Sequence, residues 1–536
     1  MGHTPIFRKL LLTLQAAREK NFENLNRPMP ISYQKYKCSR RKFINGAAKV
    51  GAATLLASKL SSCGGGGSSG ETTETKVAII GAGIAGLNAA YHLKKAGLLA
   101  KVYDASDRVG GRILSLVWNS QFVVDFGGEL INTDHKDMLD LAEELDVTLF
   151  NRIEDINKAN LPKTIYYFEN EKISEDVLAI ELIEIVDQIS ADAELLDEDW
   201  DTHAPLFDKM SVEDYLTKHA SKLSKPYLKK LFEEMIRTEY GAELSDSSAL
   251  QLLFMLPTID GLAVNLLGYS DETYSVMGGS SQITNALHTK IGNSVVLQSA
   301  LKKIEKQGNK YVLSFKNRST VLAEYVILAM PFTALKDVEI DAGLSKEFSD
   351  FIQQSTLGVN EKVFSPFKSR FWRKSEGFTE GIWCDKDYSQ VWDATLRQNT
   401  ATAGILNFYL GGKKVEPLNK TLNMTTIGVI LVNALNTIVS GANDADAYKY
   451  FKSDWLNNEY IKGAYSNYKP GVLTKYGEFF WVESDNEEEK QEVRVDNLFF
   501  IGEHLSDEFY GFMNGGAQTG RLAAEALVAE LLANNT

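Results

Sequence analysis

The chain has 536 residues, 44% of them hydrophobic and 24% charged, with a formal net charge of −14; that excludes a single small core and a disordered chain. Residues 1–62 carry a balance of +10 and the remainder −24, so the acidic body lacks the basic footprint of a nucleic-acid binder and suits plain solubility or cationic substrates. Three cysteines (Cys38, Cys63, Cys384) and seven scattered histidines build neither a disulfide framework nor a metal site.

At the N-terminus, Arg40-Arg41-x-Phe43-Ile44 resembles a twin-arginine export motif. A modest apolar stretch from Gly46 to Leu60 follows, too short to span a membrane. Leu60-Ser61-Ser62-Cys63 resembles a lipoprotein processing site, and Gly64–Gly70 has the composition of a flexible tether. Residues 1–62 are therefore expected to be an export signal and 63–73 a tether. The product would be periplasmic or at the cell surface, touching the membrane only through a lipid on Cys63. Met29 is an alternative start.

Lys76-Val-Ala-Ile-Ile80 reads as a buried strand. Gly81-Ala-Gly83-Ile-Ala85-Gly86 follows, then a helical pattern through Ala96. A second strand, Ala100–Tyr103, ends at Asp104 and Ala105. Strand, glycine motif, helix and acid in this order form a dinucleotide-binding unit. Gly81 allows the tight turn, Gly83 lets the backbone approach a pyrophosphate at the helix N-terminus, and Gly86 permits close packing. Asp104 can accept from ribose hydroxyls.

Asp107-Arg108-Val-Gly110-Gly111-Arg112 and Val124-Asp125-Phe-Gly127-Gly128-Glu129 come next. Further on stand Val276-Met-Gly278-Gly279, Leu301 in a strand-like stretch, and Val326–Pro331. Asn497–His504 leads through Gly502 and Glu503, and Gly515-Gly516-Ala517 opens a final helix. In this order the motifs resemble the flavin-containing amine oxidases, the monoamine oxidase-like family that also includes L-amino-acid and polyamine oxidases. The resemblance covers roughly residues 74–536. It implies noncovalent FAD held by the segments just named: the Arg108–Arg112 loop on the pyrophosphate, the Gly127–Glu129 turn near the ring, the Leu301 backbone at the adenine, and the final helix at the flavin.

The resemblance also locates the chemistry. Lys362, in Asn360-Glu361-Lys362-Val363-Phe364, matches a lysine that holds a water near flavin N5. A buried ammonium is costly and rarely placed without purpose; an exposed strand lysine is the bland alternative. Gly463-Ala464-Tyr465 has alanine where monoamine oxidases carry the cysteine that bonds flavin, hence noncovalent FAD. Tyr465, and Phe512 in Gly511-Phe512-Met513, match the two walls of an aromatic cage that orients the amine. The implied reaction is hydride transfer from the substrate α-carbon to flavin N5, imine hydrolysis, and reoxidation by O2 giving H2O2.

No arginine follows Gly127-Gly128, which tilts the substrate toward amines without a carboxylate. The alternatives are an L-amino-acid oxidase, a same-fold desaturase or porphyrinogen-type oxidase, a dehydrogenase using a non-oxygen acceptor, and a non-catalytic FAD-containing lipoprotein. The expected architecture is α/β: a Rossmann-like FAD domain of the glutathione-reductase type (74–148, 271–345, 455–536), interleaved with a mixed-sheet and helical substrate domain (149–270, 346–454). Residues 171–256 have helical spacing, and Trp383, Trp392 and Tyr409 lie in strand-like stretches.

Overall fold

The computed structural model describes residues 73–533 except 269, 420–422 and 487. The expected export signal, the lipid site at Cys63 and all but the last residue of the tether lie outside the described residues. Two sheets organise the described chain. The first has nine strands, running in the order Val295–Val296, Ala100–Tyr103, Thr73–Ile80, Val321–Leu328, Lys310–Phe315, Leu301–Gln307, Glu339–Asp341. The two others, Leu498–Phe500 and Arg494–Val495, join beside Val321–Leu328.

Val321–Leu328 serves two neighbours on one edge. Its first half pairs antiparallel with Tyr311–Leu313 and its second half parallel with Leu498–Phe500. The strand can do so because Val326, Ile327 and Leu328 are wholly buried, as are Val77, Ala78 and Ile79 beside them. Near-continuous apolar runs suit a sheet covered on both faces. The expected strand at Lys76–Ile80 begins three residues earlier, at Thr73, and the last helix begins at Met513 rather than Gly515.

The second sheet has seven strands: Phe451–Lys452, Asn360–Phe367, Gly404–Gly411, Gln390–Asp393, Gly381–Cys384, Thr164–Phe168 and Glu171–Ile173. Its register sets the two faces. On one face Val363, Phe408, Val391, Ile382 and Ile165 lie side by side across five strands, in a core shared with the helix Met424–Ile438. The other face carries Lys362, Tyr409, Gln390, Trp383 and Tyr166 in the alternate register. Helices Glu175–Glu198, Trp200–Asp208, Val212–Lys218, Pro226–Tyr240 and Ala249–Met255 supply the helical part of this half. Among the described residues no helix is long and apolar enough to cross a membrane.

The helix after the glycine motif, Ile84–Lys95, packs against the C-terminal helix Met513–Ala533. Small residues allow the approach. A Cβ on Gly520 would overlap the Ala85 carbonyl oxygen, and one on Gly516 would sit 2.9 Å from Ile84 Cγ2. Asn88 Nδ2 donates to the Ala517 carbonyl at 2.8 Å, fixing the register between the helices. Because the obstruction at Gly520 is backbone, it yields little. Gly520→Ala is expected to cost about 1–3 kcal/mol through overpacking, read as a lowered midpoint in thermal denaturation.

Candidate active site

One cavity of about 1150 Å3 runs between the two sheets. That exceeds the roughly 300–1,000 Å3 of an ordinary small-ligand pocket. At one end lie Gly81, Gly83, Ala85, Asp104, Ala105, Arg108, Gly111 and Leu301. At the other lie Lys362, Tyr409, Tyr465 and Phe512, with Gly127, Gly128 and Glu129 between. Gly502, Glu503, Gly511, Met513 and Gly516 complete the wall. Two candidates are not on it. Gly86 packs behind, where a Cβ would overlap the Gly81 carbonyl, and Ala517 is wholly buried with its carbonyl engaged by Asn88.

The nucleotide end is built from backbone. Gly81 has φ +112° and must be glycine, since a Cβ would also overlap the Ala329 carbonyl. Gly83 begins its helix with no side-chain cap, leaving the first N–H groups facing the cavity. Gly111, at φ +55°, closes over it: a Cβ there would sit 3.2 Å from Gly83 Cα. Arg108 shapes this loop rather than forming an ion pair. Its Nη2 donates to the Gly111 carbonyl at 2.7 Å and its Nη1 to that of Val109 at 3.0 Å. Asp104 is already tied in: Oδ2 accepts from Ala82 N at 2.6 Å and Oδ1 from Ser106 N at 2.8 Å. Ser106 Oγ also donates to Oδ1, and Asp104 lines the cavity.

Arg112 reaches across to the C-terminal segments. Its Nη1 donates to Glu503 Oε1 at 2.6 Å and to the Ala464 carbonyl at 2.8 Å. Glu503 Oε2 accepts from Gly511 N at 2.6 Å and Ser466 Oγ at 2.8 Å. Burial acts to raise the Glu503 pKa, but the Arg112 guanidinium and these hydrogen bonds hold it below the ordinary glutamate range. Next to it, buried His504 has no hydrogen-bond partner on either ring nitrogen, and burial lowers its pKa to about 4, so the ring is neutral.

Lys362 is not an exposed strand lysine. Its strand is buried along its length, and its ammonium donates to Glu129 Oε2 at 2.7 Å and to the Asp125 and Gly127 carbonyls at 3.0 Å each. Trp392 stands 5.5 Å from it, ring centroid to Nζ. All three ammonium protons thus meet protein acceptors, and the Gly127–Glu129 turn is clamped onto the lysine strand. Burial pushes the Glu129 pKa up, but Lys362 and Arg397 outweigh it and hold the carboxyl below the ordinary range. Arg397 is itself in a buried pair with Asp125 at 2.9 Å.

Tyr465 is locked at its hydroxyl, which bonds Tyr409 Oη and the Thr238 carbonyl. Phe512 meets His135 edge-on, with centroids 5.0 Å apart. Sequence reasoning placed Tyr409, Trp383 and Trp392 on strands but not in the site. The register Lys362–Tyr409–Gln390–Trp383–Tyr166 brings that row to the cavity. It also missed Glu239, Glu272 and Arg152, which line the cavity with His504 of the Asn497–His504 segment. Cys384, the single free cysteine among the described residues, is buried in the second sheet away from the cavity, and Ala464 offers no thiol for a flavin linkage.

The family model for flavin containing amine oxidoreductases matches residues 84–528. The chain belongs to that family. It is a flavin-dependent oxidoreductase of amines, with FAD as its cofactor. It is 26% identical over 474 residues to a flavin-containing amine oxidase of Oncorhynchus mykiss, covering 85% of this chain and 86% of that protein. It is 24% identical over 467 residues to a probable flavin-containing monoamine oxidase A of Dictyostelium discoideum, covering 85% and 98%. Among solved structures, wild-type putrescine oxidase bound to putrescine superposes with a TM-score of 0.70 at 21% identity, over 86% of this chain and 100% of that one. Cyclohexylamine oxidase from Brevibacterium oxydans IH-35A gives 0.71 at 22%, over 85% and 99%.

The site fits FAD on its own geometry. An uncapped helix start faces a second glycine loop, a neutral histidine with two unpartnered nitrogens stands in the wall, and the cavity is long enough to continue past them. The Lys362–Glu129 pair gives a direct stability test. Lys362→Met leaves a buried carboxylate uncompensated and is expected to cost about 3–5 kcal/mol at pH 7, while adding Glu129→Gln recovers most of it, in chemical denaturation. The folded pKa of Glu129 is depressed, so its stabilisation is present above the ordinary value near 4.5 and fades as pH falls through the folded value. The wild-type advantage over Glu129→Gln should shrink in that direction.

Proposed function

We propose that the chain is an FAD-dependent oxidase of amines lacking a carboxylate, exported already folded around its cofactor. The observation that carries this reading is the shared cavity. Lys362, Tyr465 and Phe512 line the same space as the glycine-built nucleotide end. When bound, noncovalent FAD supplies the hydride acceptor and the reoxidation by O2 that yields H2O2.

The protein residues supply position, dryness and charge. The uncapped N–H groups at Gly83 and the Gly110–Gly111 loop hold the pyrophosphate. Asp104 would accept from ribose hydroxyls and the Leu301 backbone would meet the adenine. Arg112 and Glu503 fix the turn at the ring, and the Met513–Ala533 helix directs its positive end toward it. Tyr465 and Phe512 flank the amine. With its hydroxyl tied to Tyr409 and Thr238, Tyr465 cannot rotate away, so the substrate carbon is presented in one orientation.

The amine must be neutral to release hydride. An apolar, aromatic surround favours the neutral form by desolvation. Lys362, set among Glu129 and two carbonyls, is the cation beside the Gly127–Glu129 turn. It supports oxygen reduction as a positive charge held in place by Glu129 and the Asp125 and Gly127 carbonyls. The imine leaves the cage and is hydrolysed by water to a carbonyl compound and ammonia or a smaller amine. The twin-arginine signal at Arg40-Arg41 fits a chain that must be loaded with FAD before it crosses a membrane.

Purified FAD-loaded protein should be yellow. Anaerobic amine should bleach it, and air should then yield one H2O2 per amine oxidised. In Lys362→Met/Glu129→Gln, which keeps the buried charges balanced, flavin reoxidation by O2 should slow at least tenfold while anaerobic reduction changes less than threefold. Bleaching without peroxide under air would move the chain to a dehydrogenase. Equal slowing of both half-reactions would remove Lys362 from oxygen reduction.

A further inference from the structure

The family reading leaves two cavity carboxylates without a task. Glu239 lies on the helix Pro226–Tyr240, whose buried positions include Leu228, Leu231, Phe232, Met235 and Ile236. The same spacing puts Glu239 on the inward face, where an apolar residue would be expected. No hydrogen bond or ion pair to its carboxylate is made among the described residues, and what surface it shows is turned to the cavity. Its neighbour Thr238 receives the Tyr465 hydroxyl, so Glu239 stands beside the aromatic end of the cavity.

Glu272 comes from a different segment, just before the strand Tyr274–Val276. It faces the same cavity, and the nearest cationic atom, Arg152 Nη1, is 3.8 Å from its carboxylate. That Nη1 donates instead to the Glu272 backbone carbonyl at 2.7 Å. Burial raises Glu239 to about 8, with Glu272 adding to the rise, and burial raises Glu272 to about 7. Besides Arg152, the groups acting on Glu272 are Glu380 at the cavity wall and the Glu129–Lys362 pair, which is internally neutral. The region therefore holds an excess of negative charge with too few cations.

Two carboxylates that face one cavity and raise each other's proton affinity are unfavourable as a charged pair unless a cation or a proton joins them. Among the described residues no metal-ligand cluster is present to take that role. We infer that Glu239 and Glu272 form a second-ammonium subsite, so that the preferred substrates are α,ω-diamines held by one charged nitrogen while the other, neutral, lies between Tyr465 and Phe512. This rests on the oxidase reading and narrows its substrate class. Pairing one ammonium with the carboxylates offsets the cost of desolvating it, and the far nitrogen enters an aromatic, apolar slot that favours its neutral form. The bound ammonium takes the place of the proton that the empty pair retains.

The test uses FAD-loaded wild type, Glu239→Gln and Glu272→Gln, with 1,4-diaminobutane against n-butylamine and 1,6-diaminohexane against n-hexylamine. Anaerobic flavin reduction is measured as rate constant over dissociation constant. Wild type should prefer at least one diamine tenfold or more over the monoamine of equal length, and each variant should lower that ratio at least fivefold. Calorimetric titration of the same diamine into dithionite-reduced holoprotein, where no turnover occurs, should show binding weakened at least fivefold in both variants. A wild-type ratio near one, or an equal loss on both substrates as a simple proton acceptor would give, overturns the subsite. So does a preference for L-amino acids through Arg152. If no amine of either kind reduces the flavin, the oxidase reading fails, and the titration alone still decides whether the pair binds a diamine. The two variants lie on different segments, so a folding failure in one leaves the other to judge.

Discussion

Three stretches of chain far apart in sequence meet on one buried carboxylate. Glu503 receives Arg112 from the second glycine loop, the Ser466 hydroxyl from the segment bearing Tyr465, and the Gly511 amide next to Phe512. Arg112 adds a bond to the Ala464 carbonyl, closing the circuit. A carboxylate this deep is stable only when its charge and lone pairs are met. Meeting them requires the nucleotide loop, the tyrosine wall and the phenylalanine wall to arrive together. Cofactor site and substrate cage are thus one construction.

A second junction of the same kind sits at the ring end. Lys362 joins the Gly127–Glu129 turn to the second sheet through three donors, and Arg397 holds Asp125 behind it. The sheet register does the rest. Because directly paired residues share a face, Lys362 brings Tyr409, Gln390, Trp383 and Tyr166 into the cavity as a row, while their neighbours build the core behind. Small residues at Gly516 and Gly520 set how closely the two cofactor-side helices approach. Backbone close contacts place the phosphate end, and buried charge pairs place the reactive end.

Much of the cofactor half was legible in the sequence because its signals are local. Gly81, Gly83 and Gly86 sit between a β-branched run and a helical pattern; Gly81 answers a positive φ, Gly86 a close approach to the Gly81 carbonyl, and Gly83 leaves the helix start open. The aromatic cage was legible only by resemblance, since Tyr465 and Phe512 carry no local mark that separates them from core aromatics. Lys362 lies on a strand buried on both faces, so period-two alternation says nothing of its surroundings. Tyr409 depends on which residue opposes it across the sheet, a fact set by register. Glu239 did leave a trace: it breaks the apolar face of an otherwise amphipathic helix. Its meaning needed Glu272, which joins it only through tertiary folding.

The account turns on Glu503 as the tie between cofactor loop and cage, and flavin affinity tests it most directly. FAD is titrated into the apoproteins of wild type and Glu503→Gln, followed by quenching of flavin fluorescence, with circular dichroism confirming that both are folded. A weakening of at least tenfold in Glu503→Gln is the predicted result; affinity equal to wild type in a folded variant would contradict it.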